Sequence, residues 1–287
     1  DNESVNENWM SDRDRFSYEA IYSSDRLLTP KIKSNGVWSE LEWTDALSLI
    51  ANTLNSADSN KVGLISSSTS TVEESFLLSK IAECLGTANI DHRIKRRDTS
   101  DQDNDPIFET LGTDIASIEK QDSILIVGSN VRSEAPILAH RIRKAAVNGA
   151  IINFANTKKH EYFFDIADYI FGAGLVELLS GIAVASKVNS DAVAILCEGI
   201  KPKDAHYRIA SSLKNAKNAM VLLGCIAGSH AAYSAVRALA SAISEKTGAT
   251  LGFITSGPNS SGASLAGALP HREIGGVKRK NSGMNVS

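Results

Sequence analysis

The most regular apolar pattern of this chain lies between residues 123 and 147. Four apolar residues, Ile124 to Val127, run into Gly128, and a polar turn leads to Pro136 and an apolar stripe of helical period. A short β-branched run, a glycine and a 3.6-residue period are typical of a strand, turn and helix in a parallel sheet. Because such a turn points backbone N–H groups at the start of a helix, it also suits phosphate or another anion.

A second segment repeats this pattern closer to the N-terminus. Residues 62–65 predict a strand, a hydroxyl-rich loop follows, and residues 72–85 predict a helix. Thr71 and Glu74 have the spacing of a capping box, in which each side chain accepts a hydrogen bond from the other residue's backbone N–H. Gly86 is placed to end the helix in the left-handed conformation.

A third segment of this kind joins a strand over 219–223 to a helix over 229–246, and several single elements complete the pattern. Strands are predicted over 150–154, 169–171, 219–223 and 249–255, and helices over 44–55, 174–188, 203–216 and 229–246. Strands that alternate with helices specify the α/β class, with parallel strands and right-handed crossovers.

The domain organisation follows from length and from one polar stretch. At roughly 150 residues per domain, 287 residues suggest about two domains. Residues 93–105 are charged and lack apolar periodicity, so we expect a linker there. We predict two α/β lobes, one inserted in the other, after an extended N-terminal segment that is the remnant of an upstream domain. The predicted bounds are 1–39 for that segment, 40–104 plus 215–287 for the first lobe and 105–214 for the inserted lobe. Both ends are expected to be cuts through a longer protein.

Composition narrows the function classes. Hydrophobic residues make up 43% of the chain and the net charge is −3, so no basic field exists for non-specific nucleic-acid binding. No apolar run approaches the ~20 residues that span a bilayer. Cys84, Cys197 and Cys225 have no metal-ligand spacing, which fits a reducing compartment. Cys84 and Cys225 lie in apolar runs and are predicted to be buried thiols.

Two charged clusters could bind ions. The aspartate run 98–105 has Glu109 at the twelfth position from Asp98, but Asp103 stands where an EF-hand loop needs glycine, so a solvated loop is favoured over a calcium site. The basic residues of segment 93–97 either pair with nearby aspartates or contact an anionic ligand or a partner subunit, and pairing is favoured. The chain has no HExxH, GxSxG or GxGxxG motif. Arg132 is placed to bind an anion at the turn after 124–127, with a plain surface role as the equal alternative.

Six ordered segments resemble one known family. They read NENWMSDRDRF, RLLTPKI, GVWSELEWTDAL, NIDHRIKRRDTSD, ILIVGSNVRSEAPILAHRIRKAA and PNSSGASLAGALPHR. Together they resemble the molybdopterin oxidoreductase superfamily. Within it they are similar to the large iron–sulphur subunits of bacterial respiratory complex I, the proton-pumping NADH:quinone oxidoreductase, over essentially the whole chain.

The resemblance implies two Rossmann-like lobes whose facing turns hold a bis-pterin guanine dinucleotide with molybdenum or tungsten in the catalytic relatives. On that basis the candidates for a relic pterin pocket are Ser67, Arg97, Gly128, Asn130, Arg132 and Gly224. In catalytic relatives a cysteine or selenocysteine, six residues after the aspartate that matches Asp91, ligates the metal. Here that position is Arg97, whose guanidinium has donors but no lone pair to give.

The resemblance therefore implies a scaffold without a catalytic site, metal or pterin of its own. Full-length relatives carry [4Fe-4S] and [2Fe-2S] clusters upstream of the matching region. We expect peripheral-arm subunits of complex I as partners, no nucleic acid, no membrane insertion, and a location on the cytoplasmic side of the bacterial inner membrane. Two alternatives stay open: a fragment of a catalytic molybdopterin enzyme such as a formate dehydrogenase, and a nucleotide- or anion-binding module.

Overall fold

A computed structural model describes residues 2–172 and 174–286 of the chain. Its strands are β1 (Lys31–Ser34), β2 (Val37–Glu40), β3 (Leu64–Ile65), β4 (Ile90–Asp91), β5 (Ser123–Val127), β6 (Ile151–Asn156), β7 (Asp168–Phe171), β8 (Ala219–Leu223) and β9 (Thr250–Phe253). Its α-helices are α1 (Asp12–Phe16), α2 (Trp43–Ser56), α3 (Val72–Leu85), α4 (Val131–Glu134), α5 (Pro136–Val147), α6 (Leu175–Ala185), α7 (Ala194–Cys197), α8 (Asp204–Asn215), α9 (Cys225–Gly228), α10 (Tyr233–Thr247) and α11 (Ser260–Leu265). The predicted α/β class is confirmed.

A five-stranded parallel sheet forms the larger part of the fold. Its strand order is β7-β6-β5-β8-β9. Every residue of β5 and of β8 is buried, because helices cover both faces of the sheet. Leu125 and Val127 pack towards α6, α8 and α10, whereas Ile124 and Ile126 pack towards α5.

The order of the strands creates a switch point between β5 and β8. From β5 the chain adds β6 and β7 on one side and then crosses to add β8 and β9 on the other. Ligands of doubly wound sheets bind in the crevice that opens at the carboxyl ends of the strands at such a point. The turns after β5 and β8 are therefore the first place to look for a site.

A smaller unit pairs β3 with β4 in parallel, with α3 and α11 packed on them through Ala82, Ile90, Ala263 and Ala268. The predicted capping box of α3 is present, since Glu74 N–H donates to the Thr71 hydroxyl at 3.1 Å and Thr71 N–H donates to the Glu74 carboxylate at 2.8 Å. Gly86 ends the helix with φ +66°.

The strand pairing corrects part of the predicted lobe assignment. The sequence placed β8 and β9 in the lobe 40–104 plus 215–287, but both belong to the sheet built around β5. The chain returns to the smaller unit after β9, where Asn259 N–H donates to the Ser68 carbonyl at 2.9 Å. Periodicity identifies a buried strand without identifying its neighbour, which explains the error. The other lobe limits stay a prediction.

The N-terminal part is held mainly by polar contacts. Glu7 accepts hydrogen bonds from Arg141 at 3.0 Å and His140 at 3.2 Å, both on α5. Helix α2 buries only Ala46 among its residues. Cys84 is exposed, so its predicted burial was wrong; it lies on the outer side of α3. Within the described ranges, no helix combines the length and apolar character needed to cross a bilayer.

Candidate functional site

Two neighbouring regions at the carboxyl edge of the sheet contain the six candidate residues. We call the first the switch-point crevice; it consists of residues 128–134 after β5 and Gly224 and Cys225 after β8. We call the second the serine–histidine cavity; it lies between the smaller unit and the large sheet. Its lining comes from segments 67–69, 92–97 and 105–109, from residues 223–233, and from segments 253–264 and 269–272.

The side chain of Glu134 fills the switch-point crevice. One carboxylate oxygen accepts a hydrogen bond from the Asn130 N–H at 2.9 Å. The other accepts from the Ser129 hydroxyl at 2.7 Å and from the Cys225 N–H at 3.0 Å. These are the donors that an anionic ligand would use at a switch point. The chain therefore supplies its own anion at the turn that the sequence identified as suited to phosphate.

Close packing of two glycines leaves no room between the turns. Gly128 has φ +56°, and a Cβ atom added there would lie 2.6 Å from the Ala227 nitrogen. A Cβ atom added to Gly224 would overlap the side chain of Ser129. The turns after β5 and β8 thus touch each other, and the Ala227 N–H donates directly to the Gly128 carbonyl at 2.8 Å.

Arg132 points to neither an anion nor the cavity. Its guanidinium lies over the ring of Phe163, 4.3 Å from the ring centroid, and Phe163 is 74% exposed. Of the six candidates, Gly128, Asn130 and Arg132 lie in the crevice, Ser67 and Arg97 line the serine–histidine cavity, and Gly224 belongs to both. The structure thus divides the candidates between two regions rather than bringing them together.

The serine–histidine cavity has a volume of about 270 Å³. At its centre, Arg97 donates to the carboxylates of Asp105 at 3.1 Å and Glu109 at 2.7 Å. The Arg97 guanidinium also lies 4.3 Å from the ring centroid of Tyr233. Arg97, which the resemblance aligns with the metal ligand of catalytic relatives, is therefore a cation fixed by two carboxylates and an aromatic ring.

The pairing that the sequence favoured for segment 93–97 is found for Arg93 and Arg97. Arg93 forms a two-pronged contact with Asp91, through Nε at 2.9 Å and Nη2 at 3.1 Å. Asp101 and Asp105 both contact Arg237, at 2.6 Å and 3.0 Å. Lys95 and Arg96 are exposed at the mouth of the cavity.

Cys225 lines the same cavity, which the sequence did not reveal because the residue lies far from Arg97 along the chain. Burial raises the pKa of the Cys225 thiol to about 11, so the protonated thiol predominates at neutral pH. The sulphur lies 3.7 Å and 3.6 Å from the carbonyl oxygens of Ile254 and Thr255.

The donor set does not fit molybdenum or tungsten. In the described part of the chain, no group of three or more His, Cys, Asp or Glu side chains is placed to hold a metal ion. Arg97 has no lone pair to give a metal, and Asp105 and Glu109 hold its guanidinium in place. No reaction step through such a metal can be derived for these residues.

Two buried histidines in the cavity also escaped the sequence reasoning, which looked for paired histidine motifs. His92 is 3% exposed and its Nε2 lies 3.0 Å from the Ser264 hydroxyl. His271 is 2% exposed, and neither ring nitrogen has a hydrogen-bond partner among the described residues. Burial lowers the pKa of both imidazoles to about 4, so both are neutral at pH 7. Both histidines lie in segments on which the family resemblance rests. That resemblance was the only sequence signal that could have placed them in a site.

Solved structures of similar fold come from two enzyme systems. The formyltransferase/hydrolase complex of Methylorubrum extorquens matches with a TM-score of 0.58 and 15% identity, covering 90% of this chain and 70% of that chain. Acetylene hydratase of Pelobacter acetylenicus matches with a TM-score of 0.53 and 13% identity, covering 92% of this chain and 38% of that chain. At these identities the likeness shows the fold.

Proteins of similar sequence agree with the predicted resemblance. A subunit of the NADH-quinone oxidoreductase of Rickettsia felis is 31% identical over 216 residues, which are 73% of this chain and 31% of the relative. The alpha subunit of F420-dependent formate dehydrogenase 2 of Methanococcus maripaludis is 36% identical over 156 residues, or 52% of this chain and 22% of the relative. The chain thus spans about a third or less of the length of these relatives. Residues 26–282 match the molybdopterin oxidoreductase family. The predicted resemblance is confirmed, and the chain belongs to the molybdopterin oxidoreductase family.

Proposed function

We propose that this chain is a non-catalytic scaffold part of the iron–sulphur subunit of an NADH:quinone oxidoreductase. The observation that carries the proposal is that Asp105 and Glu109 hold Arg97, which the resemblance aligns with the metal ligand of catalytic relatives. A guanidinium has no lone pair for molybdenum, and its removal would leave Glu109 without the cation that it contacts. The arrangement serves stability rather than catalysis.

The closed switch-point crevice supports the same role. Because Glu134 satisfies the donors of both turns, this part of the fold is stable without a cofactor phosphate. In the proposed assembly, electrons pass from NADH to quinone through iron–sulphur clusters outside this region. The chain itself contributes shape and contact surface.

An exposed apolar face supports a role in contacts. Helix α2 leaves Trp43, Leu47 and Ile50 exposed at 63%, 59% and 54%. These residues recur at the spacing of one helical face, and such exposed apolar patches mark interaction sites. The proposed partners are the peripheral-arm subunits of complex I, on the cytoplasmic side of a bacterial inner membrane.

Metal and pterin analysis tests this proposal. The chain is produced in a host that makes the molybdopterin cofactor, purified, and assayed for molybdenum, tungsten, iron and oxidised-pterin fluorescence. The proposal predicts amounts far below one per chain for all four. Stoichiometric molybdenum or tungsten together with pterin would contradict it and would favour a fragment of a catalytic enzyme, the alternative that the formate dehydrogenase relatives support.

A further inference from the structure

We propose that the serine–histidine cavity binds a small phosphate-class oxoanion. This inference concerns a ligand site and is independent of the scaffold proposal, because a scaffold can bind phosphate and a failed phosphate test leaves the metal analysis unchanged. It rests on a buried imidazole without hydrogen-bond partners, on an excess of positive charge and on the size of the cavity.

The unpartnered donor is the imidazole of His271. A neutral imidazole carries one N–H donor and one acceptor nitrogen. His271 is 2% exposed and finds no hydrogen-bond partner for either nitrogen among the described residues. The Ser264 hydroxyl donates to the Ser260 carbonyl, so His92 Nε2–H donates to Ser264 and the unpartnered Nδ1 of His92 is an acceptor. Buried polar groups are almost always hydrogen-bonded, since a lost hydrogen bond to water costs free energy. The two rings therefore indicate a polar ligand that both accepts and donates hydrogen bonds.

The charge of the lining favours an anion. Five cationic side chains line the cavity against two carboxylates, Asp105 and Glu109, which both contact Arg97. Asp91, which does not line the cavity, forms an ion pair with Arg93. Within the described part of the chain, the lining cations without a carboxylate partner are Lys95 and Arg96 at the mouth and Arg272, whose Nη2 donates to the backbone carbonyls of Asp103 and Asp105.

Geometry favours a tetrahedral anion over a planar carboxylate. Donors approach the cavity from three chain segments, namely the hydroxyl turn 67–69, the segment 92–97 and the segment 271–272. The volume of about 270 Å³ lies just below the roughly 300–1,000 Å³ of pockets for drug-sized ligands. Inorganic phosphate or a small phosphate monoester suits this space, whereas a dinucleotide is too large for it.

Isothermal titration calorimetry of the full chain with inorganic phosphate, at constant ionic strength set with chloride, tests the proposal. We expect one saturable site per chain with a Kd of about 1 mM or lower. His271→Leu removes the donors at similar volume, and we expect it to weaken binding at least about tenfold. Arg132→Gln, which changes an arginine outside the cavity, is the matched control and should bind like the wild type.

A second variant guards against misfolding of the first. Lys95→Gln combined with Arg96→Gln changes only exposed side chains at the mouth, and we expect a several-fold weaker affinity that becomes less salt-dependent. Absence of saturable binding to the wild-type chain would overturn the proposal. So would binding that His271→Leu, or the double variant if His271→Leu fails to fold, leaves unchanged, because the phosphate would then lie elsewhere.

Discussion

The switch-point crevice and the serine–histidine cavity adjoin each other and are both rich in hydrogen-bond donors, yet they satisfy those donors in opposite ways. In the crevice, Glu134 accepts from Asn130, Ser129 and Cys225, and the two turns pack directly together. In the cavity, His92 and His271 are buried with ring nitrogens that no described residue contacts. The difference shows that one carboxylate, that of Glu134, is enough to occupy the donors of the crevice. The neighbouring cavity keeps polar groups that are available to a ligand.

The largest effect is expected from breaking the crevice. Glu134→Leu leaves three partly buried donors without an acceptor, and at about 1–3 kcal/mol for each the free energy of unfolding should fall by at least about 3 kcal/mol. Glu134→Gln keeps one acceptor oxygen and the shape, and should cost about 1 kcal/mol. Urea unfolding measures both. Equal stability of the leucine variant and the wild type would mean that Glu134 does not satisfy these donors.

Acidic pH should lower the free energy of unfolding through the two histidines of the cavity. Burial lowers the pKa of His92 and His271 from 6.5 to about 4. Below pH 6.5 these histidines therefore bind protons in the unfolded chain but not in the folded chain. The stability due to the neutral rings is complete above pH 6.5 and is lost as pH falls towards 4. Between pH 6.5 and 5 each histidine lowers the free energy of unfolding by at most about 2 kcal/mol.

Urea unfolding at several pH values, with wild type and His271→Asn compared, measures this effect. The variant lacks one of the two cavity rings, so its stability should fall less steeply than that of the wild type over this window, by the contribution of one histidine. Identical slopes would show that His271 is not kept neutral by burial.

Packing of the crevice predicts a smaller effect. Gly224→Ala forces a methyl group into Ser129 and should cost about 2 kcal/mol, because overpacking shifts the backbone. Gly228→Ala is the matched control, since nothing lies within 4 Å of its added Cβ. Thermal unfolding compares the two. A neutral Gly224→Ala would show that the two turns are not in tight contact.

The smallest effect is expected at Arg132. Its only described contact is with exposed Phe163, so Arg132→Gln should lower the free energy of unfolding by about 0.5–1 kcal/mol. Chemical denaturation measures the change. A loss of several kcal/mol would reveal a structural role for Arg132 that the contact with Phe163 does not explain.

Local sequence rules predicted the local structure well. The bounds of α3, its capping box and Gly86 follow from contacts within one helix, which spacing alone reveals. The neighbours of β8 and β9 were misassigned, because a buried strand looks the same beside any partner. Glu134 was missed because its acceptor role depends on Cys225, far along the chain. The pairing of His92 and His271 in one cavity likewise depends on how the smaller unit folds back after β9.

The distinction between an open cavity and a closed crevice can be read directly from backbone amide NMR during a phosphate titration of the wild-type chain. Amides of segments 67–69, 92–97 and 271–272 should shift and saturate together. The amides of Ser129 and Asn130, which already donate to Asn156 and Glu134, should not move. Shifts that begin at Ser129 and Asn130 and leave the cavity segments unchanged would contradict the account.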